Sequence, residues 1–102
     1  MRVLIVDDER LARYRLRCAL AAHPSVQVVG EAASVSGALT AIAEYRPDVV
    51  FLDIDMRDGS GFRVVEASSA PFVTVFVTAY DEYAVRAFEV NAVDYLLKPV
   101  DP

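Results

Sequence analysis

The sequence predicts an α/β fold, a doubly wound parallel sheet with helices on both faces. Three observations predict it. Short continuous apolar runs recur along all 102 residues, and each is followed by a stretch with helical spacing. The central runs lack polar alternation, as suits strands buried on both faces. No internal repeat or low-complexity tract interrupts the alternation. Strands and helices in strict alternation imply a parallel sheet flanked by helices.

Val3, Leu4, Ile5 and Val6 form the first run, which ends in Asp7 and Asp8. A helix is expected over 9–22, where Ala12, Leu16, Ala19 and Leu20 recur at helical spacing and Arg10, Arg13 and Arg17 form a polar stripe. His23, Pro24 and Ser25 break it. Residues 26–29 alternate weakly and predict an edge strand. Ser34 is placed to cap a helix running to Tyr45, with Ala38, Ala41 and Ile42 facing inward. Arg46 and Pro47 end that helix.

Val49 to Leu52 is the next buried strand, ending at Asp53. Residues 55–61 are polar with two glycines and predict a loop, followed by a short helix over 62–68. A strand over 72–77 ends in Thr78. A helix is expected over 81–90, with Ala84, Ala87 and Phe88 on one face. A last strand over 94–97 ends in Lys98 and Pro99. Five strands result.

Composition narrows the class. With 55% hydrophobic and 25% charged residues, the chain reads as one compact globular domain over 1–102. No apolar run approaches the ~20 residues of a membrane span, and no basic-then-apolar leader opens the chain. A cytoplasmic protein with no membrane partner is expected. The net charge of −5 makes the chain a poor non-specific ligand for nucleic acid, which needs clustered Lys and Arg. Any action on DNA then belongs to another domain. Cys18 is the only cysteine, which excludes a disulfide framework and a thiolate metal cluster; a small buried helical side chain is expected. His23 is the only histidine and is assigned a solvent or capping role.

The chemistry collects at one place. Asp7 with Asp8, Asp53, Thr78 and Lys98 each fall at the carboxyl end of a predicted strand. In an open parallel sheet these ends share one edge, where ligands bind. Taken singly, such an Asp is a cap or turn former and Lys98 a surface lysine. Together they make a site. Three carboxylates at close range raise one another's pKa unless a cation sits among them. Oxygen donors without His or Cys favour a hard ion, Mg2+ or Mn2+. An ammonium and a hydroxyl beside such a carboxylate suit a phosphoryl group carried on it.

These motifs resemble those of response-regulator receiver domains. Leu4 to Glu9 is similar to the family's opening acidic motif, and Asp48 to Asp53 to its phosphoacceptor strand. Val77-Thr78-Ala79 resembles the strand bearing the switch hydroxyl, and Tyr95 to Pro99 the Lys-Pro signature. The stretch from Thr78 to Pro99 resembles LytTR-type regulators more narrowly, which join a receiver to a DNA-binding domain. The resemblance implies a flavodoxin-like strand order, 2-1-3-4-5. It implies Asp53 as phosphoacceptor for a sensor histidine kinase. Asp8 and Asp53 would bind Mg2+ (or Mn2+) with the backbone carbonyl of Asp55, and Asp7 through water. Lys98 would pair with a phosphoryl oxygen, Thr78 would swing toward it and Tyr95 would move inward. Asp55 and Tyr80 would tune hydrolysis. A homodimer would form through the 81–90 helix and last strand, or through an uncovered face.

Two departures stand out. Arg57 follows Met56 where the family usually has Pro. The sequence runs out at Val100, Asp101 and Pro102, before the family's last helix, so an apolar patch and a fragment of a longer regulator are expected. Two rival families fit the motifs less well. Asp53-Ile54-Asp55 resembles the motif of haloacid-dehalogenase-type phosphatases, but that nucleophile lies on the first strand and a cap domain binds its substrate. A pseudo-receiver that serves only for docking does not need the complete acid, Thr and Lys set.

Overall fold

The computed structural model describes residues 1–100; Asp101 and Pro102, the end of the predicted domain, lie outside the described residues. In chain order the elements are β1 (Arg2–Val6), α1 (Arg10–Ala21), β2 (Gln27–Ala32), α2 (Val35–Tyr45), β3 (Val49–Leu52), β4 (Asp55–Met56), β5 (Gly59–Ser60), α3 (Gly61–Ala67), β6 (Val73–Thr78), α4 (Ala84–Glu89) and β7 (Asp94–Leu97). The main sheet has five strands in the order β2-β1-β3-β6-β7, and every pairing is parallel. These are the five predicted strands in the predicted order. The strands end nearly level: Val6 lies opposite Leu52, Leu52 opposite Phe76, and Thr78 opposite Leu97.

Side chains alternate across a strand, so each strand feeds two cores. Leu4, Val6, Val50, Leu52 and Phe76 point to the face covered by α2, α3 and α4, where they meet Ala38, Ile42, Phe62, Val64 and Ala87. Val3, Ile5, Val49, Val75 and Val77 point to the opposite face, where Leu16 of α1 packs on them. On that face a groove of about 360 Å3 runs beside α1, lined by Leu11, Ala12, Leu16, Phe51, Val77 and Val100.

Local signals behave as their chemistry requires. Ser34 caps α2, its hydroxyl accepting the Gly37 N–H at 3.0 Å. Arg46 ends α2 with a left-handed backbone, φ 47°. His23 is exposed just past α1, and its carbonyl accepts from Val26.

Four expectations need correction. Residues 55–61 are not an irregular loop: β4 and β5 pair antiparallel as a two-residue hairpin. β2 continues to Ala32, because backbone pairing with β1 carries it through Gly30 and Glu31 without an apolar run. α4 starts at Ala84, and the inward stripe is Tyr83, Ala87 and Val90, at i, i+4 and i+7. Phe88 is thereby rolled outward and is 62% exposed. Cys18 is half-buried, not enclosed.

Candidate functional site

The sheet's carboxyl edge is where the polar groups meet. Asp7 and Asp8 follow β1, Asp53 follows β3, Thr78 ends β6 and Lys98 follows β7. One carboxylate oxygen from each of Asp7, Asp8 and Asp53 lies within 4.8 Å of the others. Asp7 and Asp53 are each only 5% exposed. Backbone bonds continue the sheet beneath them: the Asp7 N–H donates to Ala32 at 3.0 Å and the Asp53 N–H to Val6 at 2.9 Å.

The Lys98 ammonium enters from the other side. Its Nζ is 2.7 Å from Asp7 Oδ2, 3.4 Å from Asp53 Oδ2 and 3.5 Å from Glu9 Oε1. Asp7 also accepts the Glu9 N–H at 2.9 Å, and Asp53 Oδ1 accepts the Ile54 N–H at 2.9 Å. The peptide between Lys98 and Pro99 is cis.

Electrostatics follow from this crowding. Burial, then the charge of Asp7, pushes the Asp53 carboxyl up to about 7, against the opposing pull of Lys98 and the Ile54 N–H. Burial draws the Lys98 ammonium down, but the hydrogen bond to Asp7 and the charges of Asp53, Asp7 and Glu9 outweigh it and hold its pKa above the ordinary value. The carboxylates thus sit together at an energetic cost that a cation relieves. The donor set is all oxygen, with no His or Cys among these three residues, and fits a hard divalent ion.

Thr78 is fully buried, and its hydroxyl accepts the Tyr80 N–H at 3.4 Å. The Tyr95 hydroxyl donates to the Tyr80 carbonyl. The Tyr80 ring stands edge-on to Tyr83, centroids 6.2 Å apart. Of the predicted residues, Asp7, Asp8, Asp53 and Lys98 are in one cluster, with Thr78 and Tyr95 on the neighbouring strands. The Asp55 side chain is exposed on β4, outside the acidic cluster, and its charge raises the pKa of Tyr83.

Sequence reasoning missed three residues. Glu9, which the sequence marks only as part of a motif, is a third carboxylate facing Lys98. Arg13, which periodicity places only on a polar stripe, reaches the Asp7 carbonyl with its guanidinium. Gly61, which composition places in a loop, passes its α-carbon against the Asp53 carbonyl. For Gly61 the signal was available: a glycine opening a helix close after a strand end marks a close backbone approach.

A doubly wound parallel α/β domain with buried carboxylates and a lysine at the carboxyl edge is a class suited to phosphoryl chemistry on an aspartate. Within that class the chain belongs to the family described as the response regulator receiver domain, whose profile matches residues 3–102. It is 50% identical to sensory transduction protein LytT of Enterococcus faecalis, over 99% of this chain and 43% of that one. It is 47% identical to transcriptional regulatory protein BtsR of Escherichia coli K12, again over 99% of this chain and 43% of that one. The relatives named LytT agree with the LytTR-type resemblance. The chain thus spans less than half the length of these relatives. The response regulator domain of Thermotoga maritima CheB superposes with TM-score 0.89 at 29% identity, covering 99% of this chain and 80% of that one. The response regulatory domain of mrkE from Klebsiella pneumoniae gives 0.87 at 34% identity, covering 97% and 84%. The domain is therefore a signalling module of two-component regulation.

Proposed function

We propose that this receiver accepts a phosphoryl group on Asp53 from a sensor histidine kinase and passes the change to a transcriptional output. The observation that carries this reading is the buried Asp53 carboxylate, flanked by Asp7 and Asp8 and facing Lys98 at 3.4 Å. Asp8 and Asp53 would hold Mg2+ (or Mn2+) through their carboxylates, Asp55 through its backbone carbonyl, and Asp7 through water. Bound there, the ion neutralises carboxylate and phosphoryl charge together.

An Asp53 carboxylate oxygen attacks phosphorus. A P–O bond forms as the P–N bond to the kinase histidine breaks, and the bonding pair stays on the imidazole nitrogen, which takes up a proton. Lys98 exchanges its contact with Asp53 for a phosphoryl oxygen. Thr78 turns its hydroxyl from the Tyr80 N–H to the phosphoryl group, and Tyr95 gives up the Tyr80 carbonyl and moves inward. The surface of α4 and β7 is thereby repacked, a shift between two states that phosphate biases. Asp55 and Tyr80, each two residues past a site residue, tune hydrolysis of the acyl phosphate. The domain catalyses nothing beyond its own phosphorylation and dephosphorylation.

Residues 1–102 act as the receiver part of a longer regulator, with DNA contacted through a LytTR-type domain elsewhere in it. The names of the relatives and the acidic surface, net charge −5, support that division. Val85, Phe88 and Leu97 are exposed on α4 and β7 and support a homodimer there; the groove beside α1 would seat a last helix or a partner copy. No helix among the described residues is long and apolar enough to cross a membrane, in keeping with a cytoplasmic site of action.

The test is intact mass after incubation with acetyl phosphate and Mg2+. One phosphate-sized gain is expected in wild type, absent in Asp53→Ala and abolished by EDTA. No gain in folded wild-type protein would overturn the reading in favour of a docking pseudo-receiver.

A further inference from the structure

One residue of α1 reaches back to the site edge. Arg13 Nη1 donates to the Asp7 carbonyl oxygen at 2.7 Å, and Arg13 Nε donates to Glu31 Oε1 at 3.1 Å. Glu31 stands on the edge strand β2, next to Ala32, whose carbonyl accepts the Asp7 N–H at 3.0 Å. Both backbone polar groups of Asp7 are thus held from one spot on β2, one directly and the other through Arg13. Arg17 takes the second oxygen of Glu31 at 2.9 Å and does not touch Asp7. The Arg13 side chain is 18% exposed, against 47% for Arg17.

The carbonyl that Arg13 holds belongs to the peptide joining Asp7 to Asp8. A planar peptide fixed at its C=O is fixed at the following N–H and α-carbon as well, so the point from which the Asp8 side chain leaves the backbone is set. β1 ends at Val6, so Asp8 has no strand pairing to set it otherwise. A guanidinium bonds two acceptors at once in a fixed plane, which a lysine ammonium does not reproduce.

We propose that Arg13, oriented by Glu31, is a positioning residue for the acidic pair: it sets Asp8 against Asp53 and so raises the cluster's affinity for a hard divalent cation. The proposal rests on the reading of Asp8 and Asp53 as cation ligands. It opposes the bare charge argument. Removing a positive group from beside three carboxylates should strengthen cation binding by Coulomb's law, whereas losing the positioning bond should weaken it.

The experiment is a titration with Mg2+ alone, followed by amide chemical shifts in the 102-residue chain, with urea denaturation of every variant as a folding control. Arg13→Ala is expected to bind roughly tenfold more weakly, as loss of a metal site's outer hydrogen bond does. Arg13→Lys should fall between it and wild type. Arg17→Ala, which disturbs the same glutamate, should leave Mg2+ affinity unchanged. Equal or tighter binding in folded Arg13→Ala would overturn the proposal. Should that variant not fold, Arg13→Lys decides: it keeps the charge, so weaker binding supports positioning and unchanged binding overturns it. Asp8→Asn separates the two layers. Loss of binding there, with wild-type affinity in Arg13→Ala, refutes this proposal alone; no Mg2+ binding by wild type refutes the underlying reading and this proposal with it.

Discussion

Gly61 passes so close to Asp53 that a methyl carbon placed on it would overlap the Asp53 carbonyl oxygen and lie 3.2 Å from the Ile54 α-carbon. The contact is backbone on backbone, so no side chain can swing aside to relieve it. The Gly61 N–H donates to the Ile54 carbonyl at 2.6 Å, locking the start of α3 onto the end of β3. Gly61→Ala must therefore push α3 away from the end of β3 and from Asp53. Overpacking of this kind costs about 1–3 kcal/mol, measurable by urea denaturation. Acetyl phosphate labelling should slow as well, because Asp53 moves with its carbonyl. A variant as stable and as readily labelled as wild type would show that the approach is looser than described.

The strand ends were legible in the sequence because a parallel sheet gathers whatever follows each apolar run. Asp7, Asp53, Thr78 and Lys98 needed only the alternation of elements to be placed at one edge. Contacts fixed by rotation about a helix axis were not legible. Ala84, Ala87 and Phe88 fit an inward face as well as Tyr83, Ala87 and Val90 do, and packing on α3 and β6 decides for the second set. Arg13 presents the same problem, since periodicity says that it is polar but not that it turns back toward Asp7. The β4–β5 hairpin rests on backbone bonds that polar, glycine-containing segments do not announce.

Asp53 makes the stability of the metal-free domain depend on pH. Its carboxyl is pushed up to about 7 by burial and then by Asp7, whereas in an unfolded chain it titrates near about 3.9. Between those values the folded state holds a proton that the unfolded state lacks. Stability therefore falls as pH rises from about 4 to about 7 and levels off above. Lys98 adds no slope there, since its neighbouring carboxylates hold its pKa above the ordinary lysine value. Asp53→Asn cannot ionise and should lack the fall. Its advantage over wild type at pH 8 in EDTA should reach at most about 4 kcal/mol, and Mg2+ should narrow it. Parallel urea profiles of the two proteins at pH 5 and pH 8 would refute the raised carboxyl.

Asp58, between β4 and β5, ties the hairpin to the start of α2. Its carboxylate accepts the Val35 N–H at 2.8 Å and the Ser36 N–H at 3.2 Å, at the start of α2. These two bonds hold its pKa below the ordinary value. The contribution is present above the unfolded carboxyl's pKa and is lost as pH falls through the depressed folded value. Asp58→Ala should be less stable than wild type at neutral pH and should converge with it in acid. Amide exchange at Val35 and Ser36 should quicken in the variant. Unchanged exchange at both amides would show that Ser34 alone caps α2.

On the proposed function, Tyr80, two residues past Thr78, would restrict water attacking a phosphoryl group on Asp53. It is half-exposed, its carbonyl takes the Tyr95 hydroxyl, and its ring is braced edge-on by Tyr83. A bulky ring held there would narrow the path of attacking water. Tyr80→Ala should therefore leave the rate of labelling by acetyl phosphate nearly unchanged and shorten the lifetime of the phosphorylated form several-fold. Intact mass followed over time after removal of acetyl phosphate reads both. The carbonyl that Tyr95 uses belongs to the backbone and survives the substitution, so any change in lifetime reports the ring. Phosphate lost no faster than from wild type would mean that water reaches Asp53 by another route.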